Sequence, residues 1–372
     1  MRLSVIGRSP VYSGLCAAAD LGLAGHEVRY ACWSGDEALL AELEQGLIFA
    51  DPGSVSISGK TGPAPIRVMH AHEDAVGGAD VVVLDVPAPA FEKRFAELLP
   101  HLDQGQIVLF NMHGYWPALR LAPMLNESGR EDITLAETAA PAHGGTFADG
   151  ILTLQCLRQN VPLGVFPAER TAQTMARLNE AFPNLKAAKN VIETGLASLN
   201  MLIHFPLSLI NIGWSDRLEA EGKPIPLYQH GMTAHGSLLS ATLDAERRAV
   251  CAAYDVPWKS LPEYLADYYG AKGESAEEAV ASTNYYQELP PYDAGAWRRW
   301  MLSDIPFAYV PLARFAEAAG VPVPLHRAAI AMVSAMLAHD FEKDGPSLDT
   351  MAISGMGIES IKHYAVSGVT PA

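Results

Sequence analysis

The sequence predicts an α/β chain with an N-terminal doubly wound parallel sheet and a C-terminal all-α domain. Three observations carry this. Short apolar runs alternate with helical patterns from the first residues to about residue 180, the order that lays helices over both faces of a parallel sheet. From about residue 190 the pattern is helical and no further parallel strand is evident. The 372 residues also exceed what one ordinary core holds. Two domains are therefore expected, 1–185 and 186–372.

Taken in order, RLSVIG (2–7) reads as a buried strand ending at Gly7, LCAAADLGLAGH as a helix and EVRYACW (27–33) as a second strand. Strand, glycine turn, alanine-rich helix and strand in so short a span open a Rossmann-like, dinucleotide-binding fold. The expected G-x-G-x-x-G is altered to Gly7-Arg-Ser9-Pro-Val-Tyr-Ser-Gly14. Ser9-Pro10 makes a good N-cap and first-turn pair, so the helix is expected to begin there. Gly14 would let the helix pack against the strand, and Arg8 would add a cation where a pyrophosphate sits. Val11 and Tyr12 are bulky in the same turn. The second strand ends in Ala31-Cys32-Trp33-Ser34 without the carboxylate that grips a ribose hydroxyl, and no arginine follows, so NAD and NADP both stay open.

ALLAELEQ reads as a helix, SVSISG and APIRVMH as strand pieces, ADVVVLDVP (79–87) as a parallel strand buried on both faces, and AFEKRFAELLPHL as a helix. QIVLFN (106–111), WPALRLAPMLNESG and DITLAET (132–138) read as strand, helix and strand. Ligands of such sheets bind beyond the carboxyl ends of the strands. Those ends carry Pro87, Asn111 with His113, and Glu137 with Thr138, and His143 falls on a loop soon after. The cofactor candidates are Gly7, Arg8, Ser9, Gly14, Ser34 and Pro87; Asn111, His113 and His143 are candidates for substrate.

Composition bounds the function. Hydrophobic residues make up 49% and charged ones 18%, as in a globular rather than a disordered protein. A net charge of −16 argues against nucleic-acid binding, which needs a basic surface. No run reads as the roughly 20 apolar residues of a membrane span, and MRLSVIGRSP does not read as a signal peptide. Cys16, Cys32, Cys156 and Cys251 lie far apart, which fits reduced thiols in a cytoplasm. His70-x-His72 and His230-x4-His235 lack a matching acid or cysteine, and no metal is expected.

The second half opens on LNMLIHFPLSLINIGWSD (199–216). Through this apolar helix runs one polar line, Asn200, His204 and Asn211 at i, i+4 and i+11. Pro206 predicts a kink or a restart. The histidine is either a proton-transfer group or a core side chain satisfied by its neighbours. LYQHGMTAHGSLLSATLDAERRAVCAAYDV reads as one long amphipathic element and SAEEAVASTNYYQELPPYDAGAW as a polar, aromatic loop. Asp304 precedes Ile305-Pro306 and is expected to cap a helix start. Arg299, beside Arg298 between Trp297 and Trp300, is either a surface charge or a bidentate partner for a substrate carboxylate. Met332, Met336, Met351 and Met356 mark either core or a homodimer surface.

In their order these features resemble the octopine/nopaline (opine) dehydrogenase family over most of the chain. The resemblance is carried by ADVVVLDVPAPAFEKRFAELLPHLDQGQIVLFN and LAET, by His204-x-Pro206 with Asn211, and by the S-D-I-P block with GVPVP. It implies an NAD(P)H-dependent oxidoreductase in which a nucleotide-binding domain joins a helical substrate domain. It also implies a catalytic histidine at His204 with Asp304 as its partner. The implied reaction condenses an amino acid or other amine with a 2-oxo acid to an imine, which hydride reduces to a secondary amine. Histidine, titrating nearest neutrality, serves as acid or base in either direction, and a carboxylate fixes its tautomer. The altered glycine turn, Asn111-Met-His-Gly-Tyr-Trp116 and Ala140-Pro141-Ala142-His143-Gly144-Gly145 depart from the family. Two other readings therefore stand beside it: a reductase of a different imine or 2-oxo acid, and a non-catalytic ligand- or partner-binding protein.

Overall fold

A computed structural model describes every residue except Pro10, Ser34, Gly35, Pro52, Ser54, Pro371 and Ala372. The chain forms two compact units, Met1–Thr194 with His363–Val369, and Gly195–Lys362 with Thr370.

The first unit is built on strands β1 (Arg2–Ile6), β2 (Glu27–Ala31), β3 (Ile48–Ala50), β4 (Gly62–Pro63), β5 (Ile66–Met69), β6 (Val81–Leu84), β7 (Ile107–Phe110) and β8 (Thr134–Thr138). They are followed by β9 (His143–Ala148), β10 (Ile151–Leu157), β11 (Val161–Phe166) and β12 (Leu185–Ala187). Its helices are α1 (Ser13–Ala24), α2 (Glu37–Glu44), α3 (His72–Val76), α4 (Phe91–Leu98), α5 (Pro117–Glu127) and α6 (Thr171–Leu178), and α7 (Val191–Leu196) begins within it. The main sheet runs β12-β11-β8-β7-β6-β1-β2-β5. Its pairs from β5 to β8 are parallel, which is the doubly wound order with its switch point between β1 and β6. Val81, Val82, Val83 and Leu84 are fully buried, as a strand covered on both faces requires.

Two features of this unit differ from expectation. β11 runs antiparallel to β8, and β9 and β10 form a hairpin that joins β3 and β4 in a second sheet. Asp149 and Gly150 at the hairpin turn both have positive φ, 50° and 72°, which is the two-residue turn matching strand twist. The predicted strand at SVSISG is irregular over its described residues. There the N–H groups of Ile57 and Ser58 donate to the Asp20 carboxylate at 2.8 Å each instead of to a ladder.

The second unit is helical: α8 (Asn200–Ala220), α9 (Leu227–His230), α10 (Ala234–Ala253), α11 (Leu261–Tyr269), α12 (Ala276–Ala281), α13 (Asn284–Glu288), α14 (Ala296–Asp304), α15 (Val310–Ala318), α16 (Pro324–Leu337) and α17 (Phe341–Asp344). The last helix, α18, spans Ile358–Ser367. One two-residue antiparallel pair, β13 (Pro224–Ile225) with β14 (Tyr292–Asp293), is the exception. The element expected to be continuous from Leu227 breaks at Gly231 into α9 and α10. The expected loop of residues 275–297 instead folds as α12, α13 and β14, because Ser275 starts a full capping box and the Thr283 side chain accepts from Tyr286 N–H, each supplying a helix N-terminus with an acceptor.

Helix α8 is continuous through Pro206 and does not restart. Proline removes the N–H that would bond the carbonyl four residues earlier. That carbonyl, on Leu202, accepts instead from the Ser240 hydroxyl of α10 at 2.6 Å. The span Val191–Ala220, α7 together with α8, is also long and apolar enough to cross a membrane, contrary to the sequence expectation. However, 67% of its apolar window is buried inside the protein, as a core helix would be.

Candidate active site

In the helical unit the structure joins His204 of α8 to Asp304 of α14. His204 Nδ1 lies 2.7 Å from Asp304 Oδ2, and the histidine side chain is 12% exposed against 3% for the aspartate. An ionised carboxylate only accepts, so Nδ1 carries the proton and Nε2 is the ring's acceptor. Nε2 faces the Tyr228 hydroxyl of α9 at 3.0 Å. Burial pushes the Tyr228 phenol well above its ordinary pKa, so it stays protonated and donates to Nε2. Trp300 stacks on the imidazole at 4.4 Å and 15°, fixing its plane.

Asp304 is not the helix cap its sequence context predicts. It ends α14 in helical geometry and runs straight into a wider π-type turn, residues 305–309, and then α15. Pro306 cannot donate inside this turn, and widened turns of this kind tolerate the gap and frequently mark functional sites. Asp304 is thereby aimed from the middle of a long helical run, buried at 2% exposure.

Other residues near the dyad brace it. Asn211 donates from Nδ2 to Leu207 O at 2.8 Å and to Gly231 O at 2.9 Å, tying α8 to the end of α9. Both its donors serve backbone rather than a ligand. Asn200 opens α8 one turn before His204. Arg299 is 62% exposed and paired in a fork with Asp293 of β14.

In the first unit the glycine turn is gathered around a residue the sequence reading passed over. Asp85, just beyond β6 and fully buried, accepts from Ser9 N–H at 3.0 Å, Gly14 N–H at 2.8 Å and Ser13 Oγ at 2.6 Å. Burial pushes its carboxyl above the ordinary range. A side chain on Gly7, at φ 103°, would meet Asp85 O at 2.6 Å, and one on Gly14 would meet Asp85 Cβ at 2.6 Å; both glycines are needed for this approach. α1 begins at Ser13, with left-handed Tyr12 before it, and not at Ser9-Pro10; Ser9 Oγ instead accepts from Ser13 N–H at 3.1 Å. Arg8 pairs with Asp36 at 3.3 Å. Ser34 and Pro10 lie outside the described residues. Exposed Pro87 follows β6. Beyond β2 and β5 lies a cleft of about 470 Å3, lined among others by Trp33, Glu37, His70, His72, Arg94 and Glu97.

Two substrate candidates of the first unit prove to be internal. His143 is in β9 rather than on a loop, fully buried, with Nε2 3.1 Å from Asp20 Oδ2. Asn111 is fully buried and its Oδ1 accepts from Ala142 N–H at 2.8 Å. His113 keeps partial exposure beside Tyr115.

Among residues the sequence reading missed, Asp85 had a signal: an acid at the carboxyl end of a strand of three valines and a leucine, where ligands gather. Tyr228 and Trp300 had none, since only tertiary folding brings α9 and α14 to His204.

Known proteins share this architecture. Residues 187–337 match the family described as NAD/NADP octopine/nopaline dehydrogenase, α-helical domain. An opine dehydrogenase of Arthrobacter sp. (strain 1C) is 26% identical over 359 residues, 94% of this chain and 95% of that protein. The octopine dehydrogenase of Pecten maximus is 23% identical, over 90% of this chain and 88% of that one. An octopine dehydrogenase solved with NADH and agmatine superposes with a TM-score of 0.75 at 17% identity, covering 100% of this chain and 99% of that one. A yersinopine dehydrogenase with NADP+ bound gives 0.69 at 16%, covering 98% and 99%. The likeness to the octopine/nopaline dehydrogenase family thus covers the α-helical domain by its family model and, by the span of the relatives, the first unit as well.

Proposed function

We propose that the protein is an opine-dehydrogenase-like oxidoreductase that reductively condenses an amino acid, or another amine, with a 2-oxo acid, using NADP or NAD. The observation that carries this reading is the dyad. A carboxylate holds His204 through Nδ1 at 2.7 Å and leaves Nε2 as the nitrogen that gives or takes a proton. In the reductive direction the imidazolium provides the proton that lets hydroxide leave the carbinolamine as water. In the reverse direction the neutral ring takes it back, and Asp304 stabilises the cation in both.

The residues of the first unit fit a dinucleotide. The cleft beyond β2 is open and offers an indole together with groups of both charges, and Gly7 and Gly14 let the turn close around Asp85 at the carboxyl end of β6. Gly7, Arg8, Ser9, Gly14 and Pro87, with Ser34, would hold the cofactor. When bound, a reduced nicotinamide supplies the hydride for the imine. Asn200, His113 and Arg299 stand as substrate contacts, Arg299 exchanging Asp293 for a substrate carboxylate. A homodimer whose surface includes the exposed Met332 and Met336 of α16 belongs to the same reading, as does a cytoplasmic setting.

The test is a panel of amines and 2-oxo acids, assayed pairwise for NADH and NADPH oxidation, with the product identified by mass. A secondary amine joining the two substrates is the expected product. Reduction of the oxo acid alone, at the same rate without amine, would point to the plain reductase. No turnover together with no fluorescence titration by either nucleotide would point to the binding protein.

A further inference from the structure

Tyr228 stands between the catalytic histidine and any substrate that needs its Nε2. Its hydroxyl, 3.0 Å from Nε2, occupies the working nitrogen's hydrogen-bond direction. For a substrate to meet Nε2 directly, the tyrosine would have to leave.

The surroundings of α9 resist that movement. The Tyr228 ring stacks on Tyr286 at 4.7 Å and 25°, and meets Tyr292 at 5.9 Å and Trp300 at 6.0 Å. The neighbouring Gln229 donates from Nε2 to Leu289 O at 2.7 Å and Tyr286 O at 3.1 Å, which nails the short helix to α13 and the residues after it. At its other end Gly231 O accepts from Asn211. A side chain at Gly231 would meet Leu227 O at 2.6 Å and Asn211 Nδ2 at 2.9 Å, so α9 is closed tightly against α8. Aromatic pairs of this sort stabilise their arrangement beyond what burial alone contributes. The phenol is fixed where it is.

We infer that Tyr228 is the catalytic group that touches the substrate, relaying the proton between it and His204. In the reductive direction the Tyr228 O–H proton passes to the carbinolamine hydroxyl, the C–O bond breaks and water leaves, while the His204 Nε2 proton passes to the tyrosine oxygen. The nitrogen lone pair forms the C=N bond, leaving the substrate as the protonated imine that carries the positive charge, the tyrosine is regenerated and the imidazole ends neutral. One proton has moved from histidine to water through two bonds, and no free phenolate is formed. This suits a phenol that burial makes hard to ionise. The relay rests on the opine-dehydrogenase reading of the same site.

The test is Tyr228→Phe, which keeps the ring and its stacking and removes the hydroxyl alone. The relay expects kcat to fall by at least about 10², the lower end for a lost proton-transfer group, with nucleotide affinity by fluorescence unchanged. It also expects a curved proton inventory in mixed H2O/D2O for the native enzyme, reporting two protons in flight. Residual turnover of the phenylalanine variant should give a straight one, as water or His204 alone takes over. Equal or faster turnover by the variant overturns the relay, since it would show His204 acting directly once uncovered. A straight native inventory overturns it too, even if the variant is slow. A native chain inactive toward every amine and oxo-acid pair overturns both the relay and the reading beneath it, which separates the two failures.

Discussion

Asp85 and Asp304 are both buried aspartates, 0% and 2% exposed, each held by short hydrogen bonds, yet they do opposite things. Asp304 faces an imidazole, a partner that can change its protonation and whose far nitrogen remains for chemistry. Asp85 faces two backbone N–H groups and a serine hydroxyl, partners fixed in state. On the proposed reading the first serves a proton path; the second locks a turn. Burial and hydrogen bonding alone do not separate machinery from mortar. What lies across the bond does.

The largest test of this contrast is His204→Ala. Turnover should fall by at least about 10², with nucleotide titration unmoved, because the dyad and the glycine turn belong to different units. Retained turnover would take His204 out of the chemistry.

The two aspartates can then be set against each other. In Asp304→Asn the amide nitrogen can donate to Nδ1 and force the wrong tautomer, so turnover should also drop by at least about 10². Because Asp304 caps nothing, melting temperature should stay near native. Asp85→Asn places an amide donor against backbone donors and should lower stability by about 1–3 kcal/mol, read by thermal melting. A variant of Asp304 that melts early at full activity, or one of Asp85 that melts normally, would erase the distinction.

Glu137 sharpens it through pH. This carboxyl, wholly buried at the end of β8, accepts from Ala118 N–H at 2.9 Å and Thr194 Oγ1 at 2.7 Å, and burial raises its pKa from 4.5 to about 7. A raised folded-state pKa means the stabilising, protonated form is fully present below about 4.5 and is lost as pH rises through about 7. Between those values native stability should decline by about 1 kcal/mol per pH unit, and Glu137→Gln should abolish that slope. An unchanged slope in the glutamine variant would assign the pH dependence elsewhere.

The smallest effect is expected at the surface. Arg299→Lys keeps the charge but loses the fork, so substrate KM should rise severalfold with kcat unchanged. Identical kinetics would leave Arg299 as the partner of Asp293 only.

Much of this was legible in the sequence, and unevenly so. The parallel strands declared themselves because burial on both faces forces continuous apolar runs such as VVVL. His204 declared itself as a polar break in an apolar helix, and Asp304 through the family's S-D-I-P block. Its helical setting did not follow, because an aspartate before Ile-Pro looks like a cap until the π-type turn is seen. The β9–β10 hairpin carried a readable Asp-Gly turn, but β9 opens on His-Gly-Gly, which breaks the apolar alternation, and the pair did not stand out. Tyr228 was beyond reach: nothing within 24 residues of His204 says that a four-residue helix will return its hydroxyl to the ring.

Pro206, two residues past His204, leaves one rung of α8 to be closed by another helix, through Ser240. Elsewhere in α8 the backbone can zip unaided as the helix propagates. At this rung closure requires α10 to be already docked. The turn bearing His204 therefore takes its last backbone bond from tertiary packing rather than from its own helix. The order of this turn is thereby tied to the packing of α10 against α8, so a change at Ser240 reaches His204 without touching it.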